Sequence, residues 1–268
     1  MNIFILIAVA LFILGSGVGS FLSVLIYRIH HGEPGIVKGR SRCTSCKQQL
    51  KARDLIPLLS FLFLRGRCRS CSKEISYMYP LIELFTGVMF VLFFLKFPFL
   101  DGALLFNEQN LVLFLLHGFY SAVLIFTFFY DLKYMEVVDG MLLPAILIGL
   151  IATLGAPATP NMIDALLGAA LGGGFFALQW GVSRGRWVGG GDIRIGAFMG
   201  VILGWQLTVT ALVVSYLLGS IVAVGVALKQ NKLHGVRMPL APLLVVGTFI
   251  SFFFGNELVA WYIGYLGL

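Results

Sequence analysis

The sequence predicts an all-α polytopic membrane protein with about eight transmembrane helices and a cysteine-containing loop between the first two. Hydrophobic residues make up 59% of the chain and charged residues only 12%, whereas soluble domains carry roughly 25% charged residues. Long apolar runs recur along the whole chain, and nearly all basic residues lie in alternate connections between them. These observations exclude a soluble globular protein of this size.

Eight apolar runs approach the roughly 20 residues that a helix needs to cross a bilayer. They are residues 3–27, 79–97, 110–130, 139–155, 162–183, 193–206, 207–228 and 238–255. If the break at 204–206 is not real, the count falls to seven. The first run lacks a basic leading region and an A-x-A cleavage site, so it predicts a retained helix rather than a signal peptide. The predicted domains are this helix (1–27), a loop (28–78) and a helical bundle (79–268).

The distribution of basic residues predicts the orientation of the chain. With the N-terminus outside, 18 of the 19 Lys and Arg residues fall on the inner side, and Lys96 is the exception. Cytoplasmic loops are enriched in Lys and Arg, so both termini are predicted outside and the 28–78 loop inside. The net charge of +7 suits anionic lipid at the inner leaflet. No nucleic-acid-binding motif is present, so the lipid bilayer is a predicted partner and nucleic acid is not.

All four cysteines lie in the 28–78 loop, as two C-x2-C pairs separated by 21 residues. Two such pairs can surround one tetrahedral ion with four thiolates, which is the typical shell of a structural zinc. The predicted ligands are Cys43, Cys46, Cys68 and Cys71. Reduced cysteines without metal and a redox role are the alternatives, while the reducing cytoplasm disfavours disulfides.

A glycine-rich run at 168–180 lies inside the fifth apolar segment. Small residues in a transmembrane helix let neighbouring backbones approach closely, so the run predicts tight helix packing. A phosphate-binding role is disfavoured, because the chain has no G-x-x-x-x-G-K-[ST] motif.

Five acidic residues lie near the ends of the apolar runs, where ionisable groups are costly and indicate function. They are Glu83, Asp131, Asp139, Asp164 and Asp192. Asp131 and Asp192 are both predicted at the inner membrane boundary, where two carboxylates could share a proton and activate water for peptide hydrolysis. Helix capping or a proton relay would also place aspartates there. Capping is the preferred interpretation for Asp164, and Glu83 could bond to a neighbouring helix or line a site.

Five stretches of sequence carry a resemblance to a known family, and together they extend through most of the chain. They are GSGVGSFLSVLIYR, SRCTSCKQQLKARDLIPLLSFLFLRGRCRSCSKEISYMYPLIEL, DLKYMEVVD, GGGDIRIGAFMG and MPLAPLLVVG. With these motifs the chain resembles the prepilin peptidases, or type IV leader peptidases, which are intramembrane aspartyl proteases of the G-x-G-D type.

The resemblance implies a protease that cuts the basic leader from type IV prepilins or pseudopilins at the cytoplasmic face of the bacterial inner membrane. It implies that Asp131 and Asp192 are catalytic and that the four cysteines bind zinc. It also implies N-methylation of the new N-terminus with S-adenosylmethionine. The chain has no Rossmann-type motif for that cofactor, so its binding residues stay unassigned.

Three positions depart from the usual pattern of the family. Val137 and Val138 stand where the family has Ile-Pro, Arg194 replaces a lysine, and PLAP at 239–242 replaces Pro-Phe-Gly-Pro. These differences concern substrate preference more than chemistry. A leader peptidase without methyltransferase activity is the alternative function. A transporter that uses the aspartates as a proton relay is a third hypothesis.

Overall fold

A computed structural model of the chain describes residues 2–33, 39–100, 105–156, 159–230 and 238–266. Within these ranges the regular secondary structure is helical, which confirms the predicted all-α class. The helices are α1 (Asn2–His31), α2 (Leu59–Phe63), α3 (Met78–Lys96), α4 (Glu108–Tyr134), α5 (Asp139–Ala152), α6 (Met162–Ser183), α7 (Gly190–Gln230) and α8 (Ala241–Leu266), with a short 3-10 turn at Ala52–Asp54. Three basic residues used in the topology prediction, Lys38, Lys232 and Arg237, lie outside the described residues.

Six of the described helices are long and apolar enough to cross a membrane, and α5 is a shorter apolar helix. By contrast, α2 has only five residues, and its side chains Leu62 and Phe63 are 67% and 81% exposed. Such a short apolar helix cannot span the bilayer, but its exposed side chains suit the membrane interface.

α7 is far too long to be a single membrane span. Its 41 residues would extend about 60 Å as a straight helix, against about 30 Å for the hydrocarbon core. Gly204 interrupts it with φ 74° and ψ 172°, a conformation that favours glycine. The break coincides with the predicted division at 204–206.

The contacts of α7 show that the chain reverses direction at Gly204. A side chain at Gly172 on α6 would touch both Gly196 and Thr208, which would lie about 18 Å apart along a continuous helix. We therefore describe a first segment (190–203) and a second segment (205–230) of α7. With this division, each of the eight predicted apolar segments corresponds to a helix.

The chain forms two compact units, Met1–Phe129 and Tyr130–Leu268. In the first unit, α1 packs against α3. In the second unit, α7 packs against α6, α8 and α5. The last turn of α4, which carries Asp131, belongs to the second unit.

α6 and the first segment of α7 pack with their backbones in direct contact. Gly168 faces Gly200 and Gly172 faces Gly196, and a Cβ atom at any of the four would collide with the opposite backbone. The contacts run antiparallel, because each step forward along α6 matches an equal step backward along α7. The predicted role of the glycine-rich run in helix packing is thereby confirmed.

Asp164 takes part in the cap at the start of α6, as the sequence predicts. The Asn161 side chain accepts a 2.8 Å hydrogen bond from the backbone N–H of Asp164. In return, the Asn161 amide donates to the Asp164 carboxylate, also at 2.8 Å. The capping residue itself is therefore Asn161, and Asp164 holds its side chain in place.

Changing Gly172 to Ala is expected to destabilise the second unit by about 1–3 kcal/mol, because the added methyl group overpacks a backbone contact. Gly174→Ala is the matched control, since a Cβ atom there meets nothing within 4 Å. It is expected to be neutral or to stabilise α6 by roughly 0.5–1 kcal/mol. Denaturant unfolding of the two purified variants measures the difference. Equal stabilities would contradict the packing described here.

Candidate active site and metal centre

Asp131 lies in the last turn of α4 and is 7% exposed. Its Oδ2 atom accepts a hydrogen bond of 3.1 Å from the backbone N–H of Ala241, the first residue of α8. The first N–H groups of a helix have no partner within the helix, and its dipole favours an anion at that end. The start of α8 therefore fixes one oxygen of this carboxylate.

Asp192 lies in the first turn of α7 and is 8% exposed. Its Oδ2 atom accepts a hydrogen bond of 2.8 Å from the backbone N–H of Gly189. The glycines before it differ in their surroundings. A Cβ atom at Gly191 would collide with Val137, whereas one at Gly190 would meet nothing within 4 Å. Gly191 therefore serves close packing, and Gly190 opens onto free space beside the carboxylate.

The structure brings the two predicted aspartates together within the second unit. They come from different helices, and the charge of Asp192 acts electrostatically on Asp131. Both side chains are buried, and each has one oxygen held by a backbone N–H. Two buried carboxylates whose charges interact favour a state in which one is protonated and the other ionised.

Asp139 pairs with a cation rather than joining the two buried aspartates. The Arg194 guanidinium lies 2.7 Å from its Oδ1 atom, and both side chains are partly exposed. This ion pair ties the start of α5 to the first turn of α7, two residues beyond Asp192. The pair has no signature in the sequence, because the two residues are 55 positions apart.

Glu83 is buried in the first unit and bonds to the cysteine loop. Its Oε2 atom accepts a hydrogen bond of 2.8 Å from the backbone N–H of Leu58. Leu58 has φ 61°, a strained conformation for a residue with a branched side chain. Its carboxylate also forms a hydrogen bond with the Ser20 side chain on α1. Of the two possibilities left open for Glu83, the structure therefore supports a bond to a neighbouring helix, together with one to the loop before α2.

The two C-x2-C pairs have the same backbone structure. In the first, Lys47 donates its N–H to the Cys43 carbonyl at 3.0 Å. In the second, Ser72 donates to the Cys68 carbonyl at 2.9 Å. Lys47 and Ser72 both have positive φ, at 58° and 56°. A bridge between the flanking residues closes each turn, Arg42 with Gln49 and Arg67 with Glu74.

The four thiols converge on one point. Their Sγ atoms lie within 4.8 Å of one another, and those of Cys43 and Cys71 are 3.9 Å apart. Zinc–sulfur bonds of about 2.3 Å in a tetrahedron separate the sulfurs by about 3.8 Å, so the residues present fit a metal ion. Burial opposes ionisation of Cys43, but hydrogen bonds from the Cys46 and Ser45 backbone outweigh it and lower its pKa to about 7. For Cys71 a hydrogen bond from the Lys73 backbone favours ionisation, but burial and the neighbouring thiols raise its pKa to about 11. A metal ion requires the thiolate form of its ligands.

A cavity of about 470 Å³ adjoins the first C-x2-C turn. Its lining includes Tyr27 and the acid Glu33, and it has four basic side chains, those of Arg28, Arg40, Arg42 and Lys47. Lys47 donates a hydrogen bond of 3.1 Å to the Tyr27 hydroxyl. The volume falls within the range of small-molecule and cofactor sites.

Two polar side chains beside Asp192 were not identified by the sequence analysis. The Tyr216 hydroxyl lies 2.9 Å from the amide nitrogen of Gln179 and 3.1 Å from its amide oxygen. An electrostatic interaction links Tyr216 to Asp192. The only signal in the sequence is the lone amide of Gln179 inside an apolar run.

Comparison with known proteins gives matches over most of the chain. Residues 13–97 match the Bacterial Peptidase A24 N-terminal domain, and residues 118–224 match the Type IV leader peptidase family. A prepilin leader peptidase/N-methyltransferase of Bacillus subtilis (strain 168) is 33% identical over 258 residues, which cover 94% of this chain and 96% of that protein. A protein of the same name from Aeromonas salmonicida (strain A449) is 32% identical over 228 residues, which cover 84% of this chain and 74% of that protein. No solved structure matches.

Proposed function

Because this chain belongs to the type IV leader peptidase family, we propose that it cleaves the basic leader from type IV prepilins or pseudopilins. The observation that carries the proposal is the buried aspartate pair, in which Asp131 and Asp192 interact electrostatically across two helices. The match over almost the whole length of the Bacillus subtilis relative supports the same activity.

In the proposed reaction, one aspartate is ionised and the other is protonated. The ionised carboxylate takes a proton from a water molecule, and the resulting hydroxide attacks the scissile carbonyl carbon. The protonated partner donates a hydrogen bond to the carbonyl oxygen as negative charge develops there. When the C–N bond breaks, the leaving amine takes up a proton from the pair. The backbone N–H groups of Ala241 and Gly189 each hold one oxygen of an aspartate, and the second oxygen of each carboxylate would act on the water or the peptide.

We propose that the four cysteines hold one structural zinc ion. Four protein ligands fill its tetrahedral shell, so no position stays open for water or substrate. The ion would fasten two turns that are 21 residues apart in sequence. Its role is to fold the cysteine loop rather than to take part in peptide hydrolysis.

Methylation of the new N-terminus is the second proposed activity, and the names of the relatives support it. S-adenosylmethionine supplies the methyl group when it is bound. The cavity beside the first cysteine turn is a suitable place for it, because Arg40 and Lys47 can bind its carboxylate and Glu33 can bind a cationic group.

The proposed orientation places both termini outside and the cysteine loop in the cytoplasm, in the inner membrane of a bacterium. The distribution of Lys and Arg carries this proposal. The reversal of α7 adds two spans instead of one, which agrees with both termini lying on the same side.

Mass spectrometry of a type IV prepilin incubated with the purified protein tests both activities at once. With S-adenosylmethionine, the expected product is the mature pilin carrying one methyl group. Without the cofactor, the expected product is the same fragment unmethylated. Cleavage that never leads to methylation would establish the alternative, a peptidase alone. An intact substrate under both conditions would contradict the proposed function.

A further inference from the structure

Gln179 and Tyr216 form a polar pair on a surface that is otherwise mostly apolar. Tyr216 is 40% exposed, and the neighbours of Gln179 on α6 include Leu178 and Val182, which are 69% and 66% exposed. An amide and a hydroxyl facing lipid are unfavourable, and polar side chains within a membrane usually mark a functional surface. The Gln179 amide and the Tyr216 hydroxyl bond to each other, at 2.9 and 3.1 Å, and this satisfies part of the hydrogen-bonding capacity of both groups.

The packing of α6 against α7 places this pair at the level of the aspartates. The antiparallel register that sets Gly172 opposite Gly196 also sets Phe176 opposite Asp192, in the first turn of α7. Gln179 lies three residues beyond Phe176 along α6. Gln179 therefore lies within about one helical turn of the Asp192 carboxylate along the axis.

Tyr216 reaches nearly the same level from the second segment of α7. Gly172 contacts residues on both segments, Gly196 and Thr208. Four residues back from Gly196 lead to Asp192, and eight residues on from Thr208 lead to Tyr216, so the two differ in level by about one helical turn. The electrostatic interaction between Tyr216 and Asp192 agrees with this placement. Three helical segments thus bring one carboxylate and two neutral hydrogen-bonding groups to nearly the same depth.

A substrate that is helical at this depth has to be unwound before it can be cut. In an α-helix every interior backbone N–H and C=O is already paired, and the scissile carbonyl is inaccessible to water. Opening the helix frees several of these groups in an apolar environment, where unpaired groups are costly. A Gln side chain can both donate and accept, and so can a Tyr hydroxyl. The two side chains can therefore exchange their mutual contacts for contacts with an extended backbone.

We propose that Gln179 and Tyr216 bind the backbone of the unwound substrate beside the scissile bond. The ligand is an extended peptide segment, recognised through its N–H and C=O groups and not through its side chains. This inference rests on the proposed peptidase function. The competing interpretation is that the pair only fastens α6 to the second segment of α7.

Steady-state cleavage of a prepilin by the full-length protein tests whether the polar groups of Gln179 and Tyr216 contribute to the reaction. Tyr216→Phe and Gln179→Met remove the polar groups with little change of shape. Each variant is expected to lower kcat/KM about three- to tenfold, as the loss of one or two hydrogen bonds does. Leu178→Ala is the control on the neighbouring exposed position, and its kcat/KM is expected to stay within about twofold of the wild type.

Substrates with single backbone esters distinguish the two interpretations, namely that the pair binds the substrate backbone or that it only joins α6 to the second segment of α7. An ester in place of an amide near the scissile bond removes one N–H donor and weakens one acceptor. If the pair binds the backbone, the effects of an ester and of Tyr216→Phe or Gln179→Met are non-additive for at least one position. Additive effects at every position within three residues of the cut would overturn the proposal. So would variants that lower the thermal unfolding midpoint while kcat/KM is unchanged. A wild-type protein that cleaves nothing would instead contradict the peptidase function itself.

Discussion

Replacing Asp131 or Asp192 with Asn is expected to abolish prepilin cleavage, with kcat/KM falling by about three to four orders of magnitude. The substitution keeps the shape of the side chain and can preserve the hydrogen bonds from Ala241 and Gly189. It removes the carboxylate that takes the proton from water, or the acid that polarises the carbonyl. Neither loss can be compensated by the remaining partner, because each step needs one group in each protonation state.

The measurement is single-turnover cleavage of a purified prepilin, with circular dichroism to confirm that both variants remain folded. Asp139→Asn is the matched control, since Asp139 is paired with Arg194 rather than with the aspartates. Its expected effect is only a few-fold, because it weakens a partly exposed ion pair. Retained cleavage by Asp131→Asn or Asp192→Asn would rule out the aspartyl protease mechanism. Complete loss in Asp139→Asn would require a new assignment of the catalytic pair.

Removing the metal from the cysteine loop is expected to have the largest effect on stability. Structural zinc sites of this type contribute roughly 10–16 kcal/mol of binding free energy in zinc-finger peptides. Cys68 is the most buried of the four ligands, at 7% exposure. We expect Cys68→Ser to lower the zinc content from about one ion per chain to a small fraction of that. The cysteine loop should then become sensitive to proteolysis.

Ser70→Ala is the matched control, because Ser70 lies between Cys68 and Cys71 but supplies no sulfur. It is expected to retain zinc and protease resistance. Inductively coupled plasma mass spectrometry and limited proteolysis measure the two effects. Wild-type protein that binds no zinc, or a Cys68→Ser variant that keeps it, would rule out the proposed metal site.

Features set by local sequence could be predicted, and the break in α7 is the clearest example. The residues 204–206 interrupt an apolar run that is too long for one span, and the structure reverses the chain at Gly204. The cysteine cluster was equally predictable, since C-x2-C spacing confines two sulfurs to one turn. The glycines at 168 and 172 carried their own packing signal, because small residues allow backbones to meet.

Contacts that depend on the rotation of each helix could not be predicted. The transmembrane helices are apolar on all sides, so the sequence gives little indication of which face meets a neighbour. The hydrogen bond from Ala241 to Asp131 joins residues 110 positions apart. The contact between Gln179 and Tyr216 likewise requires the reversal of α7. For Glu83 the sequence left a helix contact and a site role open, and its partners, the Leu58 backbone N–H and the Ser20 side chain, have no signature in the sequence.

The shortness of two helices near the aspartate pair has a consequence for the surrounding lipid. α5 has 14 residues, and the first segment of α7 is of similar length, so each extends only about 20 Å. The hydrocarbon core measures about 30 Å, and a bilayer thins locally to relieve such hydrophobic mismatch. Acyl chains beside these helices would have to shorten or tilt, drawing the headgroup region toward Asp192. Water could then reach a carboxylate pair that a bilayer of normal thickness would keep dry.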